Sequence, residues 1–208
     1  MFSPFHHHRA SSQTHGLVLN WGRFYDLAMW LLARFAFGRS EQALRQNMLA
    51  FAQLQPGEIV LDVGCGTGSL ALEARRLVGE RGRVCGIDPG PRQIARAQSK
   101  AEQARFPIDF QIGVIEHLPF ADQTFDVVLS TLMMHHLPGD LKQAGLAEIA
   151  RVLKPGGRLL ILDMKDLADE RALTMQAGFS PMAGGETGLR GFNFVLASIV
   201  RKGKENAS

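Results

Sequence analysis

Cysteine is nearly absent from this chain: among 208 residues only Cys65 and Cys85 occur, both in apolar strand-like stretches. Two unclustered thiols exclude a disulfide framework and fit a reducing compartment, so the expected location is cytoplasmic. Charge of one sign is also scarce, with a formal net charge of only +3. Without a dense Lys/Arg run, that balance argues against a nucleic-acid partner. No apolar run reaches the length of a membrane span. No secretory signal is expected either, because Phe5-His6-His7-His8-Arg9 is followed by polar residues. No internal repeat is visible. The apolar fraction of 46% is ordinary and is enough to fill the core of one domain.

What is present centres on Ile59-Val60-Leu61-Asp62-Val63-Gly64-Cys65-Gly66-Thr67-Gly68. A β-branched apolar run enters a glycine-rich turn, and a helical pattern, Ser69 to Val78, follows at once. Glycines let backbone come close to a ligand, and the free N–H groups of a first helical turn favour an anionic group. A dinucleotide fingerprint, G-x-G-x-x-G, would need glycine at position 69, where Ser69 stands. Asp62, two places before Gly64, sits at a strand end. A carboxylate there repels a pyrophosphate and pairs with an ammonium. That suits the amino-acid end of S-adenosylmethionine, with Asp62, Gly64, Cys65, Gly66 and Gly68 as its cradle. The plain alternative is an ordinary turn between strand and helix.

The rest of the chain reads as one α/β domain. Residues 1–16 form a polar, irregular tail that is expected to be disordered. Its His6, His7, His8 and His15 lack carboxylate or cysteine partners nearby, so no metal site is expected. Leu17 to Phe37 is apolar and aromatic; from Leu27 onward Arg34 is its only charge. Such a segment must be covered by protein or lie on lipid. Glu41 to Leu54 has helical spacing, with Ala43, Leu44, Met48, Phe51 and Leu54 on one stripe, and Pro56-Gly57 breaks it. The N-terminal segment thus spans 17–54 and the main domain 55–203. Strands follow at Arg83–Asp88, Ile108–Gly113, Phe125–Ser130 and Arg158–Asp163. Helices are expected at Ile94–Ala104, Asp140–Leu153 and Leu167–Ala177. Two last strands, Phe179–Met182 and Asn193–Val200, form a hairpin, with the glycine-rich Met182–Gly188 as a flexible connection. Alternating strands and helices imply a doubly wound parallel sheet covered on both faces.

Two more stretches carry candidate chemistry. Asp88 lies 24 positions after Gly64, at the end of the second strand, where an acid binds ribose hydroxyls; its alternative role is a cap on the helix near Pro91. Pro89 would narrow an adenine slot. Ser130-Thr131-Leu132-Met133-Met134-His135-His136-Leu137 leaves the fourth strand toward the ligand side. Ser130 joins the cofactor set, Met133 and Met134 are soft wall residues, and His135 or His136 is a candidate general base. Methyl transfer by positioning alone needs no base.

Val60 to Gly68 resembles the first motif of the class I S-adenosylmethionine-dependent methyltransferases, and further matches run in order over residues 45–202. Small ubiquinone and menaquinone C-methyltransferases are the nearest in pattern. The resemblance implies a Rossmann-like seven-stranded sheet of order 3-2-1-4-5-7-6 with strand 7 antiparallel. It implies that the N-terminal segment folds over the cofactor as a lid; from that segment's aromatic surface, Trp21, Tyr25 and Trp30 are expected to cover an acceptor pocket. Gly113-Val114-Ile115-Glu116-His117-Leu118-Pro119-Phe120 resembles the family's adenine-binding segment, which puts Ile115 and Glu116 at the cofactor. The family's adenine-binding Asp is Val114 here, so only the Ile115 amide remains to hold the ring. Arg151–Leu159 resembles a structural block.

The expected function is methyl transfer from S-adenosylmethionine to a small, lipophilic acceptor such as a quinone precursor or a lipid, with peripheral membrane contact through the N-terminal segment as a second use of its aromatic surface. A non-catalytic cofactor-binding module is the alternative, favoured by Val114. A nicotinamide oxidoreductase is opposed by Asp62 and Ser69. The acceptor atom and the oligomeric state are not legible.

Overall fold

The computed structural model describes residues 14, 16–31, 34–35, 40–164, 167–187 and 191–199. The expected disordered tail falls almost wholly outside them, as do His6, His7, His8 and His15. Two helices come first, α1 (Arg23–Leu31) and α2 (Glu41–Ala50). Ser40 opens α2 by accepting a hydrogen bond from the Ala43 N–H at 3.1 Å, an N-cap of the usual kind.

The main domain then alternates β1 (Ile59–Val63), α3 (Ser69–Val78), β2 (Arg83–Asp88), α4 (Pro91–Ala104), β3 (Ile108–Ile112), β4 (Phe125–Thr131), α5 (Gly139–Val152), β5 (Leu153–Asp163), α6 (Ala168–Gln176), β6 (Phe179–Glu186) and β7 (Asn193–Ile199). The strand order is β3-β2-β1-β4-β5-β7-β6, and β7 runs antiparallel to both neighbours, as expected. Pro91 sits at the start of α4, where a missing N–H costs nothing.

Strand periodicity splits the core in two. Val60, Val127, Leu129, Leu160 and Leu162 face one side, against Leu44, Met48 and Leu49 of α2 and Leu70 and Ala74 of α3. Leu61, Val63, Val128, Leu159 and Ile161 face the other, against Leu146, Ile149 and Val152 of α5. Strands buried on both faces read as continuous apolar runs, which is why β1, β4 and β5 stand out in the sequence.

Two boundaries differ from expectation, each for a local reason. β5 pairs from Leu153, but its partners jump from Phe125↔Leu153 to Val127↔Arg158. Residues 154–157 therefore bulge, and the regular ladder starts at Arg158. Residues 183–186, expected as flexible connection, are strand: Ala183↔Leu196 through Glu186↔Asn193 continue β6. β6 is an exposed edge strand, so a backbone ladder holds it without side-chain alternation. Gly184 there leaves room for the Arg171 guanidinium.

Leu129, fully buried in β4 between β1 and β5, tests the core. Leu129→Ala should lower unfolding stability by about 2–5 kcal/mol in a denaturant titration.

Candidate functional site

The carboxyl ends of β1, β2 and β4 meet beneath the N-terminal segment and enclose a cavity. Its floor is Gly64, Gly66, Asp88, Pro89 and Glu116, its walls are Ile87, Val114, Ile115, Leu132, Met133 and Leu137, and His136 closes one side. Leu17, Leu19 and Tyr25 form the roof. This is the place where open α/β sheets bind ligands, outside the strand ends at the reversal of strand order.

The glycine turn is shaped by its neighbours as much as by any ligand. A Cβ at Gly64 would lie 2.5 Å from Met133 Cγ, and one at Gly68 would lie 2.6 Å from Phe110 Cζ. Gly68 therefore serves the packing of the turn on β3 and α4, and it does not line the cavity. The Cys65 side chain also turns inward, into the core beside Phe110, where burial pushes its thiol well above the ordinary value. Gly64 and Gly66 do line the cavity.

Two acids stand under the turn. Asp88 faces the cavity and holds the loop: its carboxylate accepts from the Gly66 N–H at 3.0 Å and the Gly90 N–H at 2.8 Å. Burial raises its pKa to about 6, against those two bonds. The cap reading of Asp88 is met only in this form, because Gly90 is the N-cap of α4. Asp62 lies deeper, 1% exposed and off the cavity lining, and neither carboxylate oxygen has a hydrogen-bond partner among the described residues. Burial drives its pKa up to about 7, with Asp88 adding to the rise; Arg45 and the Ala71 backbone N–H, which lies nearby without hydrogen-bond geometry, oppose it. An unpartnered buried carboxylate below a loop of backbone N–H groups fits a ligand that brings an ammonium.

The loop after β4 contains a short 3₁₀ turn, Met134–His136. Met134 is buried in the core and does not reach the cavity, whereas Met133 does. Ser130 is buried at the end of β4 with its hydroxyl unpartnered and also lies off the lining. His136 lines the cavity, and its ring packs on His135 with centroids 3.9 Å apart. His135 itself is turned to Asp163 at the end of β5, Nδ1 to Oδ1 2.6 Å. The same carboxylate accepts from the His135 N–H at 3.1 Å and the Met164 N–H at 2.7 Å. Sequence reasoning missed Asp163: an acid at a strand end carries no mark of its partner 28 residues earlier.

The N-terminal segment is pinned to the domain at several points. The Leu17 N–H donates to the His136 carbonyl at 3.2 Å. The Gly22 N–H donates to Gln93 Oε1 at 2.8 Å, and the Arg92 N–H to Asn20 Oδ1 at 2.9 Å. Asp26 of α1 accepts from Thr67 Oγ1 of the glycine turn at 2.5 Å, from Arg96 Nε at 2.8 Å and from Lys100 Nζ at 3.0 Å. Burial works to raise the Asp26 pKa, but these three donors outweigh it and hold the carboxyl below its ordinary value. Of the aromatic residues expected over the pocket, only Tyr25 lines it. Trp21 and Trp30 point outward, 56% and 49% exposed. The apolar roof comes instead from Leu17 and Leu19, which lie in extended chain before the helix and so escape a helical-stripe reading.

The two raised acids have a consequence for the ligand-free protein. A folded pKa above the unfolded value means that the native state holds the proton longer, so stability falls as pH rises through that window. For Asp62 the window runs from 3.8 to about 7. Asp62→Asn should therefore raise the thermal midpoint of the ligand-free protein at pH 8. The gain should shrink as pH falls and vanish only well below 3.8, near about pH 2, where the parent carboxyl is protonated in both states. An equal effect at both pH values would mean that the carboxylate has a partner.

Residues 60–157 match the methyltransferase domain family. An arsenite methyltransferase of Halobacterium salinarum is 39% identical over 123 residues, which are 59% of this chain and 31% of that protein. A demethylmenaquinone methyltransferase of Desulfitobacterium hafniense is 34% identical over 142 residues, 67% of this chain and 54% of that protein. The chain thus spans about a third to about half of the length of these curated relatives. The crystal structure of an S-adenosylmethionine-dependent methyltransferase from Aquifex aeolicus superposes with a TM-score of 0.68 at 24% identity, covering 75% of this chain and 89% of that one, and so shares its fold. The glycine turn and the acids beneath it lie within residues 60–157, the stretch of the chain that is similar to methyltransferase domains.

Proposed function

We propose that the protein transfers a methyl group from S-adenosylmethionine to a lipophilic acceptor held under the N-terminal segment. The observation that carries the cofactor is the pair of buried acids: Asp62 without a partner and Asp88 facing the cavity. Asp62 would answer the ammonium of the cofactor's amino-acid end, and Asp88 the ribose hydroxyls. Pro89 and Ile115 would border the adenine, with Val114 offering no side-chain acceptor. Bound there, S-adenosylmethionine supplies an electrophilic methyl group on a sulfonium.

The acceptor's class rests on the lining. Beyond the acids, the cavity is bounded by Leu17, Leu19, Leu132, Met133 and Leu137, with Thr14, Gln93, Thr131 and His136 as its polar members. Such walls suit a ring or chain with little polar surface, in line with the quinone acceptor named for the Desulfitobacterium relative. The arsenite acceptor of the Halobacterium relative fits less well, because trivalent arsenic seeks thiols. Both cysteines here are buried in the core, away from the lining.

In this reading the chain supplies its own base. A carboxylate can only accept, so Asp163 sets the neutral His135 ring with its proton on Nδ1 and its lone pair on Nε2. His135 in turn backs the ring of His136, which borders the acceptor space. His136 then takes a proton from an acceptor hydroxyl or carbon as the methyl arrives, while Tyr25 and the leucines of the roof exclude water. The segment 17–54 acts as a lid on the domain 55–203 in this reading.

Release of S-adenosylhomocysteine with a reduced naphthoquinone, compared with arsenite, tests the assignment; release with neither, despite cofactor binding, would favour a binding module. Two variants separate binding from chemistry. Gly66→Val forces a branched side chain onto a residue at φ 53°, a conformation that L residues rarely adopt, and should abolish cofactor binding in a titration. His136→Ala should leave cofactor affinity within about twofold and lower the methyl-transfer rate by about 10²-fold, the lower end of general acid–base contributions. A parental rate would assign the reaction to positioning alone.

A further inference from the structure

We infer that the outward face of α1 is a docking surface for an anionic lipid bilayer. The helix is two-faced. Tyr25, Asp26 and Met29 turn toward the domain, where Asp26 is tied to Thr67, Arg96 and Lys100. The opposite face carries Phe24, Leu27 and Leu31 at spacings of three and four, with Trp30 beside them. Phe24 is 76% and Leu27 54% exposed. Trp21 extends this surface before the helix, and Phe35 after it packs edge-to-face on Trp30, centroids 6.5 Å apart. A contiguous aromatic and aliphatic surface of this kind is uncommon on the outside of a water-soluble monomer.

Charge selects the occupant. Between Leu17 and Phe35 the charged residues are Arg23, Asp26 and Arg34. Asp26 faces inward into ion pairs with Arg96 and Lys100, while Arg23 and Arg34 are exposed. Arg92, also exposed, adjoins them through its backbone bond to Asn20. The exposed charges of the segment are thus all positive around an apolar centre. That is the pattern of a helix lying in a bilayer interface, with Trp and Phe at the headgroup level and Arg reaching acidic lipids. No helix of the described residues is long and apolar enough to cross a membrane, so the contact is peripheral. The same short segment roofs the cavity with Leu17, Leu19 and Tyr25, so docking places the roof between bilayer and site. As a route for the acceptor, the inference rests on the lipophilic reading above; as a surface, it rests on exposure and charge.

Trp21 and Trp30 are the only tryptophans of the chain, so its indole fluorescence reports this face alone. The full chain should show blue-shifted emission, and quenching by brominated acyl chains, on vesicles of mixed phosphatidylglycerol and phosphatidylcholine. Binding to phosphatidylcholine alone should be at least about tenfold weaker, and high salt should release the protein. The double variant Phe24→Ser/Leu27→Ser should lose about tenfold in partitioning, and Arg23→Glu/Arg34→Glu should lose the preference for the anionic lipid. Unchanged emission and no co-sedimentation with either vesicle would overturn the inference. So would a vesicle-free dimer, seen by light scattering and abolished by the same apolar substitutions, because a second copy would then own the surface. If the apolar pair unfolds the protein, the charge reversal, confined to exposed side chains, still decides. Vesicle binding needs no methyl acceptor. Its failure alongside methylation of a dissolved quinol would remove the docking surface and leave the enzyme; the opposite result would do the reverse.

Discussion

A carboxylate shut away from water without a hydrogen bond is among the most expensive groups a fold can carry, and Asp62 is such a group. Its position is dictated by the strand that holds it. In β1, Val60 faces one core cluster while Leu61 and Val63 face the other, so Asp62 stands among buried positions at the point where the chain turns. The turn has no room to move away, because Met133 fills the space over Gly64 and Phe110 the space over Gly68. Asp88 completes the arrangement by holding the Gly66 amide. The nearby Asp88 charge hinders the ionisation of Asp62, and burial hinders that of both. A cation between them would relieve both, so that ligand binding and loop order draw on the same electrostatics.

Order in the glycine turn extends to the N-terminal segment through one side chain. Thr67, buried in the turn, donates to Asp26 of α1, and Arg96 and Lys100 of α4 meet the same carboxylate. The roof over the cavity is therefore fastened to the loop that forms its floor. Because two cations and a hydroxyl share one acid, the orientation of α1 about its axis is set. Its apolar face can then be turned outward without the helix rolling over to bury it.

Much of this was legible from residue pattern. The 3.6-residue period of Ser69–Val78 and the apolar runs of β1, β4 and β5 placed their elements to within a few residues. Gly64-x-Gly66 located the floor of the cavity, with Asp62 buried beneath it. What escaped reading has physical causes. β6 carries glycine where alternation would mark a strand, since an exposed edge needs only backbone pairing. Gly68, Cys65 and Met134 belong to the motifs but serve packing, because motif spacing records which residues adjoin the ligand loop and not which way each side chain turns. Trp21 and Trp30 were expected over the cavity on aromatic content alone, yet the inward face of α1 is chosen by Asp26, the one acid in the segment with cations to meet.

The two adjacent histidines show the same limit most sharply. Nothing in His135-His136 distinguishes one ring from the other, and both follow a strand that ends at the ligand side. Their roles separate only when β5, lying beside β4 in parallel, brings Asp163 level with the turn. The acid then claims the first ring through Nδ1 and the same residue's backbone N–H, so that residue is locked in both main chain and side chain. The second ring is left against the cavity, supported from behind by the first. A pairing of strands, decided by apolar side chains packed in the core, thereby chooses which imidazole borders the cavity.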